Sequence, residues 1–338
     1  MTAVTASTRG VVDLVFRARE ASIVAALAVL VAVTAGANGN FLSAQGLKDI
    51  FLNAAILVLL AVGQTFVIIT RNIDLSVGSV VGLVAFTVGD FLAAGHGRGV
   101  VLAAGLGVAI GAVCGVVNGL LVSFGRVPAL VVTLGTLYVI QGVDHYIAHG
   151  RQINAVDLPP ALLSLGNGSV LGIPYLPLIA VVVMLAVGLY LRSYPSGRDF
   201  YAIGSSPEAA GLAGVPVRRR VMAAYLLSGA LAGLAGVLWL ARFGTVVADA
   251  ANGWELQVVS AVVVGGVAIT GGVGTVYGAA LGALLLTTIT SALVVLRVDP
   301  FWQQAITGAL LLLAISVDRL LALRVARILR RRNARHGS

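Results

Sequence analysis

Charge is what this sequence has least of. Asp, Glu, Lys and Arg together make up 10% of 338 residues, against about 25% in a water-soluble globule. A chain that is 59% hydrophobic cannot cover a globular surface with that remainder. Cysteine is scarcer still. Cys114 stands alone, which excludes an intrachain disulfide and a cysteine metal cluster and leaves it as a small packing residue. Strand-like alternation of apolar and polar residues is missing as well. In lipid every backbone polar group must pair within the chain, so the segments that cross are helices of roughly 20 apolar residues. The reading is all-α: a polytopic integral membrane helical bundle.

Long apolar runs are what is present. They lie at 21–36, 50–70, 75–94, 100–124, 128–148, 174–191, 221–241, 256–270, 273–295 and 302–322, which predicts about ten transmembrane helices. The transmembrane domain therefore spans 21–322, between an N-terminal segment 1–20 and a basic tail 323–338. Segment 1–20 is long and carries Asp13 and Glu20, so the first run reads as an uncleaved anchor rather than a signal peptide.

Basic residues then set the orientation. With both termini in the cytoplasm, seventeen fall on the inner side, among them Arg71, Arg126, Arg218, Arg219, Arg220 and the seven from Arg319 to Arg335. Five fall outside: Lys48, Arg98, Arg151, Arg242 and Arg297. This positive-inside bias accounts for the net charge of +9 without nucleic acid, and the tail reads as an anchor on anionic lipid.

One stretch breaks the apolar pattern. Residues 204–220 read GSSPEAAGLAGVPVRRR and lie in a connection, 193–219, that the arginines place in the cytoplasm. Ser206 supplies an N-cap, Pro207 a first helical residue and Glu208 an acid in the first turn. Gly214 followed by Pro216 ends the helix. The segment is predicted to be a short helix along the membrane face, offering a smooth surface of Ala209, Ala210 and Ala213 to a groove on a partner.

These residues carry a family resemblance. Glu208-Ala209-Ala210, three residues and Gly214 match the EAA-x-x-x-G signature of ATP-binding-cassette importer permeases. GQTFVIITRNIDLSVGSVVGL (63–83), GRDFYAIGSSPEAAGLAGVPVRR (197–219), WELQVVSAVVVGGVAITGGVGTVYGAALGAL (254–284) and FWQQAITGALLLLAI (301–315) resemble the ribose, xylose and arabinose branch, in that branch's order. TRNIDLSVGS and ALVVLRV (292–298) are most similar to its rhamnose and autoinducer-2 permeases. The resemblance runs from about residue 45 to 322.

What it implies is a permease subunit of the bacterial inner membrane that pairs with a second permease chain, identical or not. An ATPase subunit would use ATP and Mg below it, and an extracytoplasmic sugar-binding protein would deliver the solute. Ser206, Glu208, Ala209, Ala210 and Gly214 would couple to the ATPase, with Asp74 either capping the third span or making a second such contact. No cofactor is expected on this chain itself, and no enzyme activity: its single lysine, Lys48, sits in SAQGLKDI, without the glycine spacing of a phosphate-binding loop.

Candidates for the solute path are polar residues on the spans: Asn53, Gln64, Asn118, Gln141, Asp144, His145, Trp302, Gln303 and Gln304. Each has a plainer reading as a helix-packing hydrogen bond or, for Trp302, an interfacial aromatic. Gly265, Gly266, Gly271, Gly272 and Gly274 read as turn glycines, continued by a small-residue row at Gly274, Gly278 and Gly282. Two alternatives stay open. One is a branched-chain amino-acid permease of the same machinery. The other is an ion-coupled secondary transporter, disfavoured because the acidic residues fall near the predicted span ends.

Overall fold

The computed structural model describes residues 21–95 and 99–299, with Phe301, Trp302, Ala305, Ile306, Gly308, Ala309, Leu312 and Ser316 beyond them. Segment 1–20, Arg98, Gln303, Gln304, the tail and most of the run at 302–322 lie outside the described residues. In chain order the helices are α1 (Ala21–Ala37), α2 (Ala44–Ile69), α3 (Val77–Ala93), α4 (Val100–Ser123), α5 (Ala129–Ala148), α6 (Pro160–Asn167), α7 (Tyr175–Ser193), α8 (Pro195–Ser205), α9 (Pro207–Leu212), α10 (Val217–Phe243), α11 (Trp254–Val264) and α12 (Val276–Val295). Six of them, α2, α4, α5, α7, α10 and α12, are long and apolar enough to cross a membrane; α1, α3 and α11 are shorter apolar helices. A two-residue antiparallel pair, β1 (Ser169–Val170) with β2 (Ile173–Pro174), closes the connection between α6 and α7.

The bundle is built around α2. In its most apolar window 89% of the residues are buried, as expected of a helix that is apolar all round. It runs antiparallel to α10. Arg242 near the end of α10 reaches Asp49 near the start of α2 at 2.7 Å, and Gly63, further along α2, lies against Ser228 near the middle of α10. Each member of this central pair then repeats the packing of the other: α2 packs on α12 and α11, α10 on α4 and α3.

Small residues permit the close approach. Gly107, Gly111, Gly115 and Gly119 recur every fourth residue along α4 and meet α10. A Cβ on Gly111 would run into the carbonyl oxygen of Gly229, and one on Gly233 into that of Gly107. Such rows bring backbones together where lipid offers no hydrophobic drive to association. The predicted row on α12 behaves likewise: Gly278 sits on the carbonyl of Gly265 and Gly282 on that of Ala261.

The expected span at 256–270 needs correction. α11 has 11 residues, about 16 Å at 1.5 Å per residue, roughly half of a 30 Å hydrocarbon core. Its apolar run continues past Val264, but Gly265 and Gly266 end the helix, the latter at φ 100°. The 244–253 segment before it is irregular and runs into the bundle. Val246 pairs with Ile153, and then the Ala250 carbonyl lies against Gly82 and the Ala251 carbonyl against Gly78, both on α3. Irregular backbone at such depth is tolerated where protein or an aqueous cavity covers it.

Contacts among the connections sort them into two sets. The α2–α3 turn, the end of α8 and the α11–α12 turn meet through Arg71, Gly204, Ser205 and Gly272. At the other end Lys48 donates to the Asn167 carbonyl, Arg151 pairs with Asp90 and Arg242 with Asp49. Every one of these falls on the same side as the others of its set in the predicted two-sided arrangement.

Candidate functional site

The 193–219 connection folds as two helices rather than one. α8 is tied down on several sides. Arg220 pairs with Asp199 at 2.8 Å, and the Tyr201 hydroxyl donates to the Gly274 carbonyl at 3.1 Å. Burial pushes the Tyr201 phenol up to about 12, so it stays a neutral donor. Gly204 fills a gap that admits no side chain, since a Cβ there would strike the Ile69 carbonyl and the Gly272 nitrogen. Thus of the three consecutive arginines one is half-buried and paired, while Arg218 and Arg219 are exposed.

α9 starts and stops as its residues predict. The Ser206 hydroxyl accepts from the Ala209 N–H at 3.2 Å, with Pro207 at the first helical position. At the other end Gly214 adopts φ +83°. Its N–H donates to the Gly211 carbonyl and the Val215 N–H to the Ala210 carbonyl, each at 3.0 Å, the double-bonded Schellman stop. Ala210, placed by sequence on the exposed face, is instead 5% exposed and seats the helix on the body. The outer face consists of Ala209, Leu212 and Ala213, with Glu208 beside them. Leu212, which the alanine pattern hides, is 92% exposed.

Asp74 does not share that surface. It is 1% exposed and lies inside the bundle, where a direct contact with another chain has no access to it. One carboxylate oxygen accepts from the Ser76 N–H at 3.0 Å and from the Ser76 hydroxyl at 2.7 Å. The other accepts from Ser228 on α10 at 3.3 Å. It thereby caps the entry to α3. Gln64 of α2 spans the Asp74 peptide when its amide nitrogen faces the Asp74 carbonyl, giving bonds of 3.2 and 3.1 Å. Asn118 of α4 donates to Ser76 at 2.8 Å and accepts from Thr136 of α5 at 2.7 Å. Gln64 and Asn118, both candidates for the solute path, are thus joined with Asp74 in one enclosed polar knot that ties four helices to the α2–α3 turn.

A second group lies where α5 faces the 249–257 stretch. Gln141, Asp144 and His145 share a stripe on α5, and His145 reaches Asp249 at 3.3 Å with both side chains exposed. Asp144 is 1% exposed, yet its Oδ1 has no hydrogen-bond partner among the described residues; neither has the buried Oε2 of Glu255. The two carboxylates flank consecutive turns of α3, Asp144 through its other oxygen beside Gly82 and Glu255 through Oε2 beside Gly78. Asp249 and Glu255 were not picked out as path residues because they precede an apolar run in sequence. Only the inward course of 244–253 brings Asp249 to α5 and Glu255 to α3. The acids are therefore nearer the middle of the bundle than the run boundaries imply.

Asn53 stands apart from both groups, accepting from Arg242 at 3.4 Å. Trp302 is 65% exposed. Among the described residues no group of His, Cys, Asp and Glu could hold a metal ion.

The family model described as "Branched-chain amino acid transport system / permease component" matches residues 46–315. Among curated proteins, the autoinducer 2 import system permease protein LsrC of Yersinia pseudotuberculosis serotype O:1b is 39% identical over 314 residues, 92% of this chain and 88% of that one. The proteins of the same name from Enterobacter sp. (strain 638) and Klebsiella pneumoniae are each 40% identical. They cover 89% and 91% of this chain and 86% and 89% of theirs. No solved structure matches. These likenesses, which run over most of the chain, place it in the family of transport-system permease components, and its six long apolar helices are those of a multi-pass membrane protein.

Proposed function

We propose that this chain is the membrane-spanning permease of an ATP-driven importer, that it moves a small sugar-like solute, and that α9 is where its ATPase subunit docks. The observation that carries the docking is the form of α9. It is capped at both ends by its own residues, held from behind by Ala210, and turns outward a face of Ala209, Leu212 and Ala213, with the exposed Arg218 and Arg219 a few residues on in the chain. A lone leucine on a small-residue face is the shape of an anchor for an apolar pocket. The ATPase would supply ATP and Mg, and this chain would answer with a rigid-body change of its helices.

The solute reading rests on the relatives named for autoinducer 2, and on groups suited to hydroxyls along α5 and 249–257: Gln141, Asp144, Asp249 and Glu255. A binding protein would deliver the solute at the end that carries Asp49, Asp90 and Arg242, and a second permease chain would cover the exposed apolar flank of α5. In this orientation both termini are cytoplasmic.

The test is reconstitution in proteoliposomes with the ATPase chain and the binding protein, using autoinducer 2 as the solute. Leu212→Asp is expected to insert normally and to lose co-purification of the ATPase together with uptake. Undiminished co-purification would refute α9 as the dock, and uptake absent from the wild-type assembly would refute the solute.

A further inference from the structure

We infer that Arg71 is a positioning residue that locks the ATPase-docking segment to the α2–α3 turn, so that displacement of α9 is delivered to the polar knot around Asp74. This rests on the docking reading of α9 given above.

The first observation is conformational. Arg71 holds φ +66°, a left-handed backbone that disfavours side chains and that glycine takes without cost. An arginine at such a position needs a compensating interaction, and the side chain supplies it. Its Nε–H donates to the Gly204 carbonyl and its NH2 group to the Ser205 carbonyl, both at 2.6 Å. Those carbonyls belong to the last residues of α8, where helix geometry leaves them without intrahelical partners and where the helix dipole favours a cation. The planar fork of a guanidinium offers two nitrogens in fixed geometry to two successive carbonyls, where a lysine has a single nitrogen on a flexible stem.

The second observation is connectivity. Ser205 is followed by Ser206, the cap of α9, so the clamp seizes the chain one residue before the docking helix. On its other side Arg71 is three residues from Asp74. Between them the Ile73 carbonyl accepts from Tyr225 of α10 and Thr133 of α5, each at 3.3 Å. The joint is also braced from the α11–α12 turn, where the Gly272 N–H donates to the Ile69 carbonyl at 2.9 Å. A push on α9 therefore has a short, hydrogen-bonded route into α2, α3, α4, α5 and α10, and Arg71 is the side chain on that route that ties the end of α8 to the α2–α3 turn.

The experiment uses full-length permease with its ATPase chain in proteoliposomes. Spin labels are placed at Gly211→Cys on α9, outside the Ala209, Leu212 and Ala213 set, and Leu75→Cys in the α2–α3 turn, in a Cys114→Ala background. With Arg71 intact, the interlabel distance is expected to be narrowly distributed and to stay so when ATP and orthovanadate are added, because the two segments move as one. In Arg71→Gly the backbone keeps its favoured conformation while the fork is gone. The distribution is then expected to broaden and to shift on adding nucleotide, with the ATPase still co-purifying and uptake reduced at least tenfold. Arg71→Gln, which retains one short donor group, should fall between, and it carries the test if the glycine variant does not insert. A distribution in both variants as narrow and nucleotide-independent as in wild type would overturn the clamp. So would loss of ATPase co-purification by Arg71→Gly, since Arg71 would then shape the dock itself. Failure of the docking reading is told apart by Leu212→Asp: retained co-purification in that variant removes the dock whatever Arg71 does.

Discussion

Gly214 and Leu212 show how differently two neighbours can contribute. Gly214 works through its backbone: at φ +83° any other residue costs about 1 to 2 kcal/mol, and a β-branched one more. A Cβ at Gly214 meets no atom within 4 Å, so the penalty of Gly214→Val is conformational rather than steric. The variant is expected to insert at wild-type yield and to lose ATPase stimulation by the loaded binding protein. Normal stimulation together with wild-type uptake would show that the exit from α9 bears no force. Leu212 works through its side chain, and burying a leucine contributes about 1.5 to 3 kcal/mol, some ten- to hundredfold in affinity. Of the two, only the glycine was legible from sequence. A glycine before a Val-Pro pair announces a helix stop. Which faces of a six-residue helix are open depends on what lies beneath it, and Ala210 settles that here.

At the scale of elements, the difference between α11 and α12 is instructive. Both come from apolar runs with similar composition, and hydropathy alone assigns a span to each. What shortens α11 is local: Gly265 and Gly266 stop it, and Ala251 and Gly253, at φ 59° and 84°, turn the chain before it. The small-residue row of α12 was legible because its spacing of four is a property of the sequence alone. The matching row of α4 obeys the same spacing yet stands among so many alanines and valines that period is a poor guide to which face is used. Both rows predict the same response to bulk. Gly278→Leu is expected to force α12 away from α11, at the upper end of about 1 to 3 kcal/mol for overpacking, because a Cβ there meets the backbone oxygen of Gly265 rather than a yielding side chain. The measurement is the melting temperature in detergent. An unchanged value would mean that the two helices are free to separate at no cost.

For the molecule as a whole, arginine placement and contact pattern tell the same story independently. Residues predicted on one side are the ones that touch one another, as Arg71 does the end of α8, and the residues predicted opposite pair among themselves, as Arg151 does with Asp90. Single-cysteine labelling in a Cys114→Ala background checks the remaining question of which side is which. Leu171, 98% exposed in the β1–β2 turn, should react as Leu171→Cys with an impermeant reagent added outside intact cells. Gly211→Cys on α9 should react only after the membrane is opened. The reverse pattern would invert the scheme. Sequence revealed the class, and which connections share one end of the bundle, because charge is too costly in lipid to be placed at random. It could not reveal the two polar groups, since Asp74 meets Ser228 and Asp144 meets Gly82 only after distant segments have packed.

The reciprocal packing of α2 and α10 also bears on how the chain is made. α2 emerges early in synthesis, but its principal neighbours α10, α12 and α7 all lie in the second half of the sequence, and α10 in turn takes α3 and α4 from the first. Neither half can shield its own central helix. Gln64, wholly buried in the finished bundle, must therefore wait for its surroundings while some 150 further residues are threaded into the bilayer. A chain interrupted before α10 leaves that polar amide on a helix whose two largest partners have yet to arrive, and α10 and α12 are the helices that cover it.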